Sequence, residues 1–147
     1  MCLYSKTNKP KIAQQDIVCY KYVLKSEHHF SPYYHINEVK YKFGKLYKID
    51  ANLFTKDIDC NNSYFLINTG FHSYADILIH YKKSPENYGC CYIKCIIPKG
   101  SLYFEETDDH GDIIYYCSEQ LYICNPPGNI FKKLLRKYIC KYKSNLI

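Results

Sequence analysis

Cys90, Cys91 and Cys95 lie close together in the chain, with His72, His80 and His110 as possible company. Thiolate and imidazole are the ordinary ligands of zinc, so this cluster is the first to weigh for chemistry. Its spacing is C-C-x3-C rather than the C-x2-C of a zinc knuckle, and no second knuckle follows. On a strand Cys91 and Cys95 would point one way and Cys90 the other, so the sequence predicts no metal site. His28, His29 and His35 are a second concentration, with no carboxylate or cysteine pattern around them. Cys2 would become the first residue if Met1 were removed, and an amine beside a thiol can serve as its base. That arrangement needs only a chain end and is easily matched by chance. The chain has no G-x-S-x-G elbow, no P-loop and no G-x-G-x-x-G, so the mechanical parts of a serine hydrolase, a nucleotide kinase or a Rossmann enzyme are missing.

The elements that must position such groups belong to a chain of 147 residues, enough for one core, and the reading is a single domain over 1–147. Tyrosine is the unusual entry, with 18 against seven phenylalanines and no tryptophan. An apolar ring with a polar tip suits half-buried strands and ligand-facing surfaces alike. The formal charge is +6, concentrated in Lys6, Lys9 and Lys11 and in the tail after Asn129. Such charge permits contact with phosphates without demanding it. Nine cysteines, odd in number and often inside apolar runs, read as free thiols in a reducing cytoplasm. Met1–Lys11 has no apolar core of a leader, and no run approaches the ~20 apolar residues that span a bilayer.

Along the chain, residues 1–15 read as a polar loop, Ile17–Lys25 as a first strand, and Ser26–Val39 as a long loop. Lys40–Ile49 is strand-like with a break at Gly44. Tyr74–Lys83 is predicted as a central helix, capped by Ser73 and with Ile77, Leu78 and Tyr81 on its apolar face. Tyr92–Ile97 reads as a strand. Leu102–Glu105 and Ile113–Tyr116 flank the turn Asp108-Asp109-His110-Gly111 as a hairpin. Gln120–Cys124 is a further strand. After Pro126-Pro127-Gly128, Asn129 caps a basic amphipathic helix over Ile130–Tyr142. The expected class is therefore α+β: mostly antiparallel sheet, a central helix and a C-terminal helix. That last helix could contact nucleic acid, although a solvated lysine face is the simpler reading.

One ordered set of segments resembles the ADP-ribosyltransferase superfamily. It consists of Tyr20-Lys21 on the first strand, Gly70-Phe71-His72-Ser73-Tyr74, Pro98-Lys99-Gly100 closing a strand, and Ser118-Glu119 entering another. The resemblance covers about Ile17 to Cys124. It implies an ADP-ribosyltransferase-like fold with NAD as substrate. Lys21, Tyr20, Gly70, His72, Ser73 and Tyr74 would bind the cofactor, Lys21 at a phosphate or ribose and Ser73 on the nicotinamide side, and Glu119 would be catalytic. An anion beside a developing oxocarbenium ion lowers the barrier electrostatically. Lys21 departs from the family's arginine, Tyr74 from a small hydroxyl, and Cys117 from the Gln or Glu of arginine-modifying members. Tyr41, Gly44, Lys45 and Tyr47, followed by Gly70-Phe71-His72, also look like a form found in small phage and gut-bacterial proteins.

Two functions follow as expectations. One is an NAD-dependent transferase or hydrolase of ADP-ribose in a bacterial host. The other is a non-catalytic phage-type protein that sequesters a nucleotide signal, or covers a host protein, with a cleft of tyrosines and lysines. The plain alternatives are Glu119 as a solvated carboxylate, Ser73 as a helix cap, and Lys21 as an outward residue of an edge strand.

Overall fold

The computed structural model describes residues 3–25, 30–32, 39–50, 56–59, 64–77 and 90–125, without the side chains of 25, 30–32, 56–59 and 90. In chain order the strands are β1 (Leu3–Ser5), β2 (Lys11–Ile12), β3 (Ile17–Lys25), β4 (Phe30–Pro32), β5 (Lys45–Lys48), β6 (Lys56–Asp59), β7 (Tyr64–Ile67), β8 (Phe71–Tyr74), β9 (Cys90–Ile97), β10 (Leu102–Thr107), β11 (Ile113–Ser118) and β12 (Gln120–Ile123). A small sheet runs β1-β7-β6, and a large one runs β2-β10-β11-β8-β3-β9-β12-β5, with β4 beside β3. Every pairing is antiparallel.

The large sheet closes on itself. Tyr20 of β3 faces Tyr74 of β8 on one side and Lys94 of β9 on the other, so those strands flank β3. β8 pairs onward to β11 and β9 to β12, and Glu119 alone separates β11 from β12. The run β11-β8-β3-β9-β12 is therefore a ring whose seam is one residue wide. Strand alternation fills its inside with Cys19, Val23, Phe71, Ile93, Cys95, Ile97, Tyr116, Leu121 and Ile123, closed by Ala13 and Tyr41. Cys117 looks the other way, with Phe104 of β10, and joins Leu3 and Ile67 in a second core beneath the small sheet. Gly70, at φ 139°, lies between β7 of the small sheet and β8 of the large one, in backbone that favours glycine.

The expected α+β class is overturned. Among the described residues every element of more than one residue is a strand; Ile77 alone is helical, next to residues that lie outside the description. The predicted helix fails at its start, because Ser73 and Tyr74 are the last residues of β8, opposite Tyr116 and Tyr115. The Tyr74 ring packs edge-on at 5.1 Å from Tyr115 and 6.3 Å from Tyr92, contacts that only an extended backbone here supplies. Pairing and ring packing outweigh a helical period read from a few residues. Residues 78–83 of that prediction and the whole of Ile130–Tyr142 lie outside the described residues. The opening segment, expected as a loop, carries β1 and β2 because Leu3 and Ala13 are buried in the two cores. The acidic hairpin is as expected, with β10 and β11 joined through Asp108–Gly111 and a register shift at Glu106/Thr107.

Candidate functional site

β3 puts Cys19, Lys21 and Val23 on one face by simple alternation, and that face is the inside of the ring. Lys21 is thus no outward residue of an edge strand: it lies between two neighbours and is only 7% exposed. Its Nζ donates to the His72 carbonyl at 2.5 Å and sits 5.3 Å from the centre of the Tyr41 ring. Among the described residues, the groups that shift its pKa include no carboxylate. Burial lowers its pKa, opposed by the nearby thiols of Cys95, Cys19 and Cys117. The same burial pushes the Cys19 thiol up to about 12, despite Ser73 and the Lys21 ammonium, and pushes Cys95 up as well. Neutral, enclosed thiols of this kind are inert nucleophiles. The Ser73 hydroxyl leans on Cys19 but completes no hydrogen bond of good geometry.

Lys21 and Ser73 are therefore brought to the same interior, where both are buried. His72 points the other way, with Nε2 3.1 Å from the Ile67 carbonyl, so Nε2 carries the donating proton. Burial takes its pKa down to about 4, with the Ile67 carbonyl opposing. Tyr20 and Tyr74 face each other on the outside of the ring. Gly70 lies in the connection to β8, where its backbone angle is what the chain needs.

Glu119 is at the seam. Its Oε1 accepts from the Leu102 N–H at 3.0 Å and from Gln120 Nε2 at 3.3 Å. Its own N–H donates to the Leu102 carbonyl at 3.0 Å, and its carbonyl accepts from the Ile49 N–H at 2.9 Å. A residue bonded in this way clamps β10 and the segment after β5 to the point where β11 becomes β12. None of its bonds reaches Lys21 or Ser73.

A different place offers access. The segment from Tyr4 to Lys11 runs beside β10 and leaves a groove of about 500 Å³, with Tyr64 of β7 also lining it. Tyr4 is 45% exposed and Tyr64 37%. Lys11 is held by Glu105, and the Tyr4 N–H donates to Glu106 Oε2 at 2.9 Å, so both acids are engaged. Lys6 and Lys9 are exposed, with no ion pair among the described residues. Tyr103 lines the groove from β10 and stacks edge-on with Tyr116 at 5.9 Å, which fixes its ring. No known family, curated protein or solved structure matches this chain. The groove has to be read from its own residues. The sequence marked Lys6, Lys9 and Lys11 as a local charge, but nothing in it brought Tyr64 and Tyr103 to their side. Among the described residues no cluster of His, Cys, Asp and Glu could hold a metal ion. No helix there is long and apolar enough to cross a membrane.

Proposed function

We propose that this chain is a non-catalytic binding domain that sequesters a nucleotide-class ligand in the groove between residues 4–11 and β10. The observation that carries this reading is the pairing, in one accessible place, of exposed tyrosine rings with lysines that have no ion pair among the described residues. A base stacks on Tyr4 or Tyr64, and its phosphates meet Lys6 and Lys9. Stacking on an aromatic side chain contributes ~1–3 kcal/mol per base. Glu105 and Glu106, already engaged, hold Lys11 and β1 in place rather than repel the ligand. The ADP-ribosyl transfer reading takes second place. Its cofactor contacts fall on Lys21 and Ser73, which are enclosed, and its catalytic residue on Glu119, whose Oε1 is engaged by Leu102 and Gln120.

The test is calorimetric titration of the whole chain with ATP, NAD and inorganic triphosphate, with chromatography to follow nicotinamide. The expected result is binding of the nucleotides more tightly than triphosphate, weakened about tenfold by Lys6→Glu with Lys9→Glu, and no nicotinamide release. Tenfold corresponds to about 1.4 kcal/mol, a fair share for two phosphate contacts. Nicotinamide release that disappears in Glu119→Gln would restore the transferase reading. Indifference to the lysine changes would remove the groove.

A further inference from the structure

β5 ends the strand order of the large sheet, and among the described residues no strand covers its other edge. From that edge inward, the register sets Leu46 against Tyr122, Tyr122 against Ile96, and Ile96 against Val18. All four lie on the outer face of the sheet, since their chain neighbours Leu121, Cys95 and Cys19 are the buried ones. Leu46 is 47% exposed and Val18 43%. An apolar row that runs across a sheet to an open edge is the kind of surface that marks an interaction site. Lysines frame it. Lys48 stands in the register row beside it, opposite Gln120, and Lys94 in the row on the other side, opposite Tyr20. Both are exposed, and neither has an ion pair among the described residues. Exposed Lys45 and Lys42 add to the same end of the sheet.

We infer that this face and edge bind an acidic, extended segment of another protein, which adds a strand to β5 and covers Leu46 and Tyr122. Strand addition gives affinity through main-chain bonds and specificity through alternate side chains. Exposed lysines on both sides of the row select for acidic residues flanking an apolar one. A second copy of the chain fits poorly, because it would bring the same positive end of the sheet, with exposed Lys42, Lys45 and Lys48, against itself. A lipid surface fits poorly as well, because an open strand edge offers N–H and C=O groups that hydrocarbon cannot satisfy. The surface lies at the opposite end of the strand order from the groove beside β10, and the inference does not depend on what the groove holds.

The experiment is fluorescence anisotropy of the whole chain with a labelled peptide alternating glutamate and valine, beside its lysine–valine counterpart. The acidic peptide is expected to bind at least tenfold more tightly. Leu46→Asp should weaken it tenfold or more with an unchanged circular dichroism spectrum, since the side chain is exposed. Lys48→Glu with Lys94→Glu should invert the preference between the two peptides. The inference is overturned by equal affinity for both peptides or by binding of neither. It is also overturned by indifference to Leu46→Asp, by a dimer that the same substitution abolishes, or by binding only to phosphatidylserine vesicles.

Discussion

In the ring interior, Lys21 lies over the ring of Tyr41 with a carbonyl as its hydrogen-bond acceptor; in the groove beside β10, Lys6 and Lys9 stand near Tyr4 and Tyr64 in the open. The residue types are the same, and the physics is opposite. Inside, desolvation lowers the lysine's pKa and raises that of the tyrosine, so both are driven toward neutral forms. Outside, the side chains of Lys6 and Lys9 are exposed and within reach of a ligand. Lysine with tyrosine is a binding pair only where the chain leaves it accessible. In the ring the pair is part of the core.

That contrast can be broken from the inside first. Phe71→Ala removes a ring from the interior and should cost about 3–5 kcal/mol in urea unfolding, while the folded fraction keeps its groove. The next effect is on pH. With His72 near 4 when folded and about 6.5 when unfolded, the unfolded chain takes up the proton first as pH falls. Stability is then full above pH 6.5 and is lost progressively down to about pH 4. The total is about 3 kcal/mol, and His72→Gln should flatten the profile in that window.

Smaller effects sharpen the comparison. Lys21→Met replaces a buried amine with an apolar chain of similar length and should stabilise by about 1–2 kcal/mol. The lowered pKa gives the sign for the parent. The unfolded chain is protonated below its ordinary value of 10.5 before the folded one is, so stability falls as pH drops through that value. The Met variant should lose this alkaline slope, and a strong destabilisation instead would mean that the bond to the His72 carbonyl outweighs desolvation. Smallest of all, Lys6→Ala with Lys9→Ala should leave urea stability within about 0.5 kcal/mol while weakening ATP in the calorimeter.

The same division governs what could be read from the sequence. The β10–β11 hairpin was legible because its turn residues and alternation are local. Ile17–Lys25 was legible as a strand, but its place in the sheet was not: alternation joins Cys19, Lys21 and Val23, without saying which face is the inside. Seen alone, Lys21 argues for the wrong face. Ser73-Tyr74 reads as a helix start until Tyr115 and Tyr92, far along the chain, are known to pack on Tyr74. Leu3 lies in a mostly polar segment, and its pocket with Ile67 and Phe104 is what makes a strand of its surroundings. The groove was half visible, as lysines without their tyrosines. The resemblance that pointed to Lys21, Ser73 and Glu119 rested on order along the chain, and order does not say which side chains share a surface.

The one-residue seam at Glu119 also sets when the molecule can assemble. β3 and β9 pair along most of their length, yet β9 and β5 both wait for β12 as a partner. During synthesis, Cys95, Ile97 and the inner face of β3 stay uncovered until residues 120–123 have been made. Contacts this distant in sequence close slowly, and exposed strand edges meanwhile invite pairing with other chains. Assembly is thus predicted to be a late, all-at-once event, and a chain halted before Gln120 should aggregate rather than leave a smaller folded unit.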